Sequence, residues 1–373
     1  MLNFMRSDLQ QLTAYTPHPS GCITDAIDRL DTNESPLDLP QELKEKLART
    51  YQHQIETNRY PDGAQMELKT SLAQYVNESA GIDKIAADNI SIGNGSDELI
   101  RSLLIATCLN GEGSIFVANP TFSMYEITAK TLGISVVSGN RSSVDFSIDI
   151  QEANELINSA ENPPVRVVFV VHPNSPTANA LTPAEIDWLR SLSRDILIVI
   201  DEAYFEFNRT SLVGEIDKYP NWIILRTFSK AFRLANLRVG YAIAHTALIN
   251  ILEKIRLPYN LPGFSQTAAL FALNYRQEIL EYIHVIISER ERLYPELQNI
   301  SSLKVWRSDA NLFYLRSIDD SSIKYEEYLA KIVRSMRELG TSIRHTGGGL
   351  RITIGTPEEN RRMLQRLKRA ISS

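Results

Sequence analysis

Four short segments of the chain place reactive side chains directly after an apolar run. GNGSDE (93–98) follows Ile90–Ile92, HPNSPT (172–177) follows Arg166–Val171, DEAY (201–204) follows Ile196–Ile200, and TFSK (227–230) follows Trp222–Arg226. Together they deliver glycines, an amide, a carboxylate, a phenol, a hydroxyl and an amine. The glycines of GNGSDE permit close backbone approach, and a helix starting there offers free N–H groups and a favourable dipole to a phosphate. Taken alone, Ser96 reads equally as a helix N-cap. Asp201 follows a fully apolar run, where a carboxylate is costly to bury without a cationic partner; alone it reads as a solvated strand end. Lys230, if desolvated or held beside cations, becomes nucleophilic near neutral pH. Arg238, eight residues further on, can make a bidentate phosphate contact. One such strand end would be ordinary; four together point to a site.

The elements that must position these groups follow from the apolar pattern. Strands are expected at Ile90–Ile92, Ser114–Val117, Ile134–Val137, Arg166–Val171, Ile196–Ile200 and Trp222–Arg226, with helices such as Asp97–Cys108, Ser123–Leu132 and Pro183–Ser193 between most of them. Several strands are continuous Val/Ile/Phe runs, the pattern of parallel strands buried on both faces. Strand–helix alternation implies an α/β sheet, and in such sheets ligands bind beyond the carboxyl ends of the strands. After Pro258 the texture changes to one long helical region, Ser265 to about Leu297, then strands at Leu303–Trp306 and Leu312–Arg316, a helix at Tyr325–Leu339, strands at Ser342–Arg344 and Leu350–Ile354, and a last helix from Pro357. We therefore expect an N-terminal arm (1–35), a large α/β domain with a mostly parallel sheet flanked by helices (36–258), and a smaller α+β C-terminal domain (259–373).

Composition narrows the classes. The chain has 373 residues, 43% hydrophobic and 23% charged, with a net charge of −6, the make-up of an ordinary soluble globular protein. No Lys/Arg block provides the electrostatic footprint of a nucleic-acid binder. No apolar run approaches the ~18 residues of a membrane helix, and the first residues lack the continuous apolar stretch of a signal peptide, so the chain reads as cytoplasmic. Its 2 cysteines, Cys22 and Cys108, and its 6 scattered histidines match neither a disulfide framework nor a metal-ligand spacing; no metal is expected. GNGSDE lacks the third glycine of the dinucleotide fingerprint, and no GxxxxGK[ST] loop is present, so nicotinamide-enzyme and P-loop readings lose ground.

In order and spacing, GNGSDE, HPNSPT, DEAY, FSKAF and LRVGY resemble the segments of fold-type-I aminotransferases, most closely the histidinol-phosphate aminotransferases. The resemblance extends to LTAYTP (12–17), LDTNESP (30–36), NRYPDG (58–63), NPTFSMYE (119–126), LPYNLPGFSQ (257–266) and GGGLRITIGTPEEN (347–360). It implies pyridoxal 5'-phosphate as cofactor, joined covalently to Lys230, with Asp201 pairing the pyridine nitrogen and Tyr204 bonding the ring oxygen. It further implies that Gly95, Ser96, Asp97, Ser229 and Arg238 hold the cofactor phosphate, and that Phe122 stacks on the ring. Tyr60 reaches the phosphate of a partner subunit, which makes the active unit a homodimer. Tyr15, Asn33, Arg344 and Arg351 receive the substrate, with Arg351 serving both a distal phosphate and a glutamate carboxylate. The implied reaction is reversible amino transfer between glutamate and imidazole-acetol phosphate, in histidine biosynthesis.

Two departures stand out. The family's PNNPTG is PNSPTA here, so either Asn174 shifts to bond the ring oxygen or the Ser175 hydroxyl serves. KAFGLAGLR is KAFRLANLR, and Arg233 is expected to add a cation near the site. Aromatic amino-acid transamination and phosphothreonine decarboxylation remain alternatives on the same fold. A non-catalytic cofactor-binding protein is disfavoured, because Lys230, Asp201, Tyr204 and Arg238 are all present. Glu202 reads as a structural or solvated neighbour. Glu289, Arg290, Glu291 and Arg292 read as an exposed face with a local Glu289–Arg292 pair, and Trp188 and Trp306 as packing residues.

Overall fold

The structure, a computed structural model, describes residues 27–159, 163–318 and 325–372, with Phe4, Arg6, Asp8 and Leu9 ahead of them. In chain order the strands are β1 (Asp28–Arg29), β2 (Ile90–Asn94), β3 (Ser114–Asn119), β4 (Val136–Asn140), β5 (Val165–Val171), β6 (Leu197–Asp201), β7 (Trp222–Thr227), β8 (Val239–Ala244), β9 (Leu303–Val305), β10 (Leu312–Ser317), β11 (Thr341–Ser342), β12 (Arg344–Thr346) and β13 (Gly349–Thr353). Seven of them, β2 to β8, form one sheet in the order β2-β8-β7-β6-β5-β3-β4. The run from β4 to β7 is parallel. β8, not expected from the sequence, is antiparallel to both β7 and β2. The segment joining β7 to β8 is short and turns back by a single 3-10 turn at Ala235–Leu237. With no crossover helix to mark it, β8 is hidden from a reading that looks for strand–helix alternation.

Alternate residues of the central strands serve opposite faces. Val168 and Val170 of β5 join the core that packs against the helices Gln41–Gln54, Met66–Ala80 and Gly263–Asn274; Val167, Phe169 and Val171 join the core beneath Ser96–Cys108 and Thr246–Ile255. Helix ends follow local chemistry. Pro183–Ser191 starts at a capping box in which Thr182 accepts from the Glu185 amide and Glu185 accepts from the Thr182 amide, with Pro183 in the first turn.

A second unit holds a four-stranded sheet, order β12-β13-β10-β9, under the helices Ile283–Gln298, Tyr325–Glu338 and Pro357–Ser372, around its own core. The helical region expected from Ser265 to about Leu297 is present as three helices, Gly263–Asn274, Arg276–Leu280 and Ile283–Gln298. Leu261 to Ile279 contribute to the core of the large sheet, and Ile283 onward to the second core. β1 pairs in parallel with β11, and Asp28 bonds Arg362 and Arg366 at 2.6 Å each, fastening residues 28–30 to the second unit.

The charged run on the helix Ile283–Gln298 is not the exposed face expected. Glu289 and Arg290 are buried: Glu289 accepts from Arg292 and Asn360, and Arg290 donates to the Ala310 carbonyl at 3.1 Å. Glu202 is fully buried in an ion pair with Arg226 at 2.9 Å and also accepts from Ser211 and the Leu212 amide. Among the described residues no helix is long and apolar enough to cross a membrane.

Candidate active site

A cavity of about 210 Å³ opens at the carboxyl ends of β2, β6 and β7 and is closed on its far side by β12 and β13. At its first end the chain leaves β2 through Gly95 (φ +77°) and enters the helix Ser96–Cys108 with no side chain capping it. The first-turn amides are thereby left for an anion, and Ser96 is not the N-cap. The turn lies tight against β8: a Cβ at Gly240 would sit 2.3 Å from the Ser96 nitrogen, and one at Gly95 would sit 2.5 Å from Arg238 Nη2. Arg238 itself takes a left-handed φ of 52°. It donates to Ser229 Oγ and to Asp97 Oδ2, each at 3.2 Å. Ser96, Asp97, Ser229 and Arg238 all line the cavity, with Gly95 directly behind Arg238.

Asp201 ends β6 buried at the cavity wall. Its oxygens accept from Tyr125 Oη at 2.8 Å and the Ala203 amide at 3.0 Å. Among the described residues no cationic side chain forms a salt bridge with it, and burial pushes its carboxyl up to about 6. Tyr125 was not singled out from the sequence. It stacks on Phe169 with centroids 4.4 Å apart and meets Phe122 edge-on at 5.4 Å. Phe122 lines the cavity.

Lys230 follows β7. Its Nζ donates to the Thr32 carbonyl at 2.9 Å and lies 5.9 Å from the Tyr204 ring centroid. Burial lowers the pKa of the ammonium, and Arg351 and Arg238 push it the same way while Tyr204 opposes them. The Tyr204 hydroxyl accepts from Asn33 Nδ2 at 2.8 Å. Asn33 is itself buried and fixed by Thr353, whose hydroxyl accepts the Asn33 amide at 3.0 Å.

At the other end, Arg344 on β12 and Arg351 on β13 are directly paired across the ladder, and both line the cavity. Like charges directly opposite each other repel, and an anion between them offsets the repulsion. Arg351 Nη2 donates to the Asp31 carbonyl at 2.6 Å, and Nη1 makes a long contact of 3.5 Å to Ser175 Oγ. The hairpin tip docks on the large sheet's loops: a Cβ at Gly347 (φ +60°) would meet Pro120 at 2.9 Å and Pro176 at 3.1 Å.

The family description "Aminotransferase class I and II" matches residues 27–367. The chain belongs to this family. The histidinol-phosphate aminotransferase of Trichodesmium erythraeum is 57% identical over 373 residues, covering 99% of each chain. Histidinol-phosphate aminotransferase 2 of a Nostoc species is 58% identical over 377 residues, covering 100% of this chain and 98% of that one. The crystal structure of histidinol-phosphate aminotransferase from Sinorhizobium meliloti in complex with pyridoxal-5'-phosphate superposes with a TM-score of 0.84 at 22% identity, over 100% of this chain and 98% of that one. At that identity the likeness shows the fold, the fold-type-I aminotransferase architecture.

Within this aminotransferase some expected site residues stand apart from the cavity. Asn174 is fully buried, donating to the Pro120 carbonyl at 3.0 Å and to Thr177 at 2.6 Å while accepting from Thr121 at 2.9 Å. Its amide shapes the loop and does not line the cavity; Ser175 does. Arg233 lies near the site, lining a small neighbouring pocket together with Lys230 rather than the main cavity. It keeps a left-handed φ of 62°, donates to the Asp38 carbonyl at 3.2 Å and lies over the Tyr282 ring at 5.7 Å. Tyr60 is 81% exposed and stacks on Tyr259 at 4.5 Å, away from its own chain's cavity. Tyr15 lies outside the described residues.

Three contributors escaped the sequence reading. The Thr32 and Asp31 carbonyls act through the backbone, which residue types do not announce. Tyr125 lies in the first turn of the helix Met124–Leu132, three residues after Phe122, and its residue type alone does not announce the bond to Asp201.

Proposed function

We propose that this aminotransferase is a cytoplasmic homodimer that transfers an amino group reversibly between glutamate and imidazole-acetol phosphate, giving 2-oxoglutarate and histidinol phosphate in histidine biosynthesis. The observation that carries this reading is the distribution of charge around one cavity. A desolvated lysine stands between two anion sites, Ser96/Ser229/Arg238 at one end and the Arg344/Arg351 pair at the other. One anion site suits a cofactor phosphate. The other suits the phosphate or carboxylate of a substrate, because a guanidinium fork accepts either. Relatives at 57% and 58% identity over their whole length carry the same name.

The residues present fit pyridoxal 5'-phosphate. Asp201 is a buried carboxylate in need of a cation, Lys230 a buried amine of lowered pKa, and the uncapped helix end at Ser96 a phosphate seat. When bound, the cofactor supplies an aldehyde for the lysine and a protonated ring nitrogen that withdraws electrons from the substrate α-carbon. Lys230 Nζ would take the proton from that carbon and deliver it to the carbon that had carried the aldehyde; burial lowers its pKa, which favours the neutral amine a base requires. Asp201, oriented by Tyr125, would pair with the ring nitrogen and favour its protonated form. Tyr204, whose hydroxyl already accepts from Asn33, would have its own proton left to donate to the ring oxygen. Phe122 would pack against the ring face. Tyr60, exposed on its own subunit, would reach the partner's phosphate seat. Arg344 and Arg351 orient both substrates in turn.

An acceptor and donor panel on the purified protein tests the substrate assignment. Histidinol phosphate with 2-oxoglutarate should be turned over with a kcat/KM at least about 100-fold above phenylalanine or tyrosine, whose anion is a carboxylate directly on the reacting carbon rather than a phosphate ester one carbon further out. Equal use of the aromatic amino acids, or release of carbon dioxide from phosphothreonine without a keto acid, would contradict it.

A further inference from the structure

One side-chain amide outside the cavity ties three segments of the site together. Asn260 Nδ2 donates to the Ile92 carbonyl and to Glu98 Oε2, each at 3.0 Å. Its Oδ1 accepts from Gln65 Nε2 at 3.1 Å and from Arg256 Nη1 at 3.2 Å. Two donors and two acceptor positions are thus all engaged. A carbonyl and a carboxylate can only accept and a guanidinium can only donate, so the partners fix which way the amide points.

Each partner leads to a part of the site. Ile92 lies in β2, just ahead of the GNGSDE turn. Glu98 is in the first turn of the helix Ser96–Cys108, and its Oε2 also accepts the Asn94 amide at 2.5 Å, so this carboxylate clasps the turn whose next amides face the cavity. Arg256 continues through Nη2 to the Gly63 carbonyl at 2.7 Å. Gln65, buried with a left-handed φ of 57°, precedes the helix Met66–Ala80. Residues 59–65 form the loop that presents Tyr60, and Tyr60 stacks on Tyr259, the neighbour of Asn260 in sequence.

We propose that Asn260 is a positioning residue for the cofactor phosphate: through Glu98 it fixes the Asn94–Ser96 turn, and through Gln65 and Arg256 it fixes the Tyr60 loop relative to that turn. The proposal rests on the functional reading above, which puts the phosphate at Ser96 and sends Tyr60 to a partner subunit. It adds a link between the two: anchoring of the phosphate and presentation of the partner-facing tyrosine depend on one amide. Coupling of this kind is reciprocal.

Asn260→Asp keeps the shape and replaces the donating nitrogen with an acceptor facing Ile92 O and Glu98. Titration of the cofactor-free protein with pyridoxal phosphate should show the dissociation constant rising about tenfold, the loss of one charge-assisted hydrogen bond. At saturating cofactor kcat should stay within about twofold, because no group at the reacting carbon has moved. Glu98→Ala removes both the clasp and the carboxylate that the new acceptor would repel. The double variant Asn260→Asp with Glu98→Ala should therefore bind the cofactor about as weakly as Glu98→Ala alone, about tenfold below the parent and not a hundredfold, a non-additivity expected of direct partners. Sedimentation of the cofactor-free variant should show weaker self-association than the parent protein.

Unchanged cofactor affinity in Asn260→Asp overturns the proposal. So does a double variant with Glu98→Ala whose loss is the full product of the two single losses, since that is the mark of two independent destabilisations. If Asn260→Asp does not fold, Glu98→Ala removes the clasp without adding a charge; it carries the same tenfold expectation, and parental affinity there overturns the idea. A parent protein that fails to bind the cofactor at all contradicts the functional reading instead, and is seen before any variant is compared.

Discussion

Asp201, Ser229 and Lys230 reach the cavity from the ends of neighbouring strands in one sheet, whereas Arg344 and Arg351 reach it from a separate four-stranded sheet. The first group is positioned locally: each residue ends its strand or lies within three residues of that end. The second is positioned by docking. The bonds that hold it in register, Arg351 to the Asp31 carbonyl and the Asn33 amide to Thr353, each join residues 320 positions apart. Local positioning suits groups that must stay fixed on a resident cofactor. Long-range positioning suits groups that meet two substrates in turn, because the two units can adjust to each without disturbing the lysine. Variants in the first region should therefore reduce the rate, and variants in the second should weaken substrate binding.

The largest contrast is expected from the two regions' central cations. Lys230→Ala should lower kcat by about 10⁴-fold, the upper range for loss of a general base, measured by coupled assay at saturating substrate. Arg351→Ala should raise KM for both glutamate and histidinol phosphate by about 10- to 100-fold, the worth of a charge-assisted hydrogen bond, with a smaller effect on kcat. A change in only one of the two substrates would break the shared-anion argument.

A third region, the exposed Tyr60 loop, sharpens the comparison because it is proposed to act across subunits. Tyr60→Phe should weaken cofactor affinity by about tenfold, the lower end for one hydrogen bond to a charged group. Mixing Tyr60→Phe with Lys230→Ala subunits should regenerate one intact site per hybrid dimer. Hybrids that bind cofactor no better than Tyr60→Phe alone would show that the site is not shared.

The smallest effect separates the local region's carboxylate from the rest. Burial raises the Asp201 pKa to about 6 and that of Glu206 to about 7 in the folded protein. A carboxyl that holds its proton more tightly when folded contributes stability that is complete below its unfolded pKa and lost as pH rises through the folded value. The cofactor-free protein should therefore lose stability between about pH 4 and 7, with Asp201 responsible for about 1–3 kcal/mol. Asp201→Asn should remove that share from the melting profile, leaving the part due to Glu206. Cofactor binding should reverse the trend near Asp201, because a ring cation favours the ionised carboxylate.

The same contrast explains what could be read from the sequence. Apolar runs ending in Asp201, TFSK and GNGSDE announce strand ends with chemistry attached, and the cofactor end of the cavity was legible for that reason. β8 was not, because its return from β7 needs no crossover helix. That Leu261 to Ile279 pack against the large sheet was not legible, because a continuous helical pattern does not reveal which core it serves. Carbonyls carry no sequence signal, so Thr32 and Asp31 were invisible. The sequence could not show that the Asn174 amide is engaged by Pro120, Thr121 and Thr177, because those bonds depend on how the loop folds. Arg233 lies near the site, as read, with its backbone in a left-handed turn and its side chain directed to the Asp38 carbonyl.

Reduction of the cofactor-loaded protein with borohydride, followed by peptide mass spectrometry, bears most directly on the account. A pyridoxyl group is expected on Lys230, in the peptide containing TFSKAF, and nowhere else in stoichiometric amount. A protein that stays colourless with the cofactor supplied, or an adduct on another lysine, would contradict it.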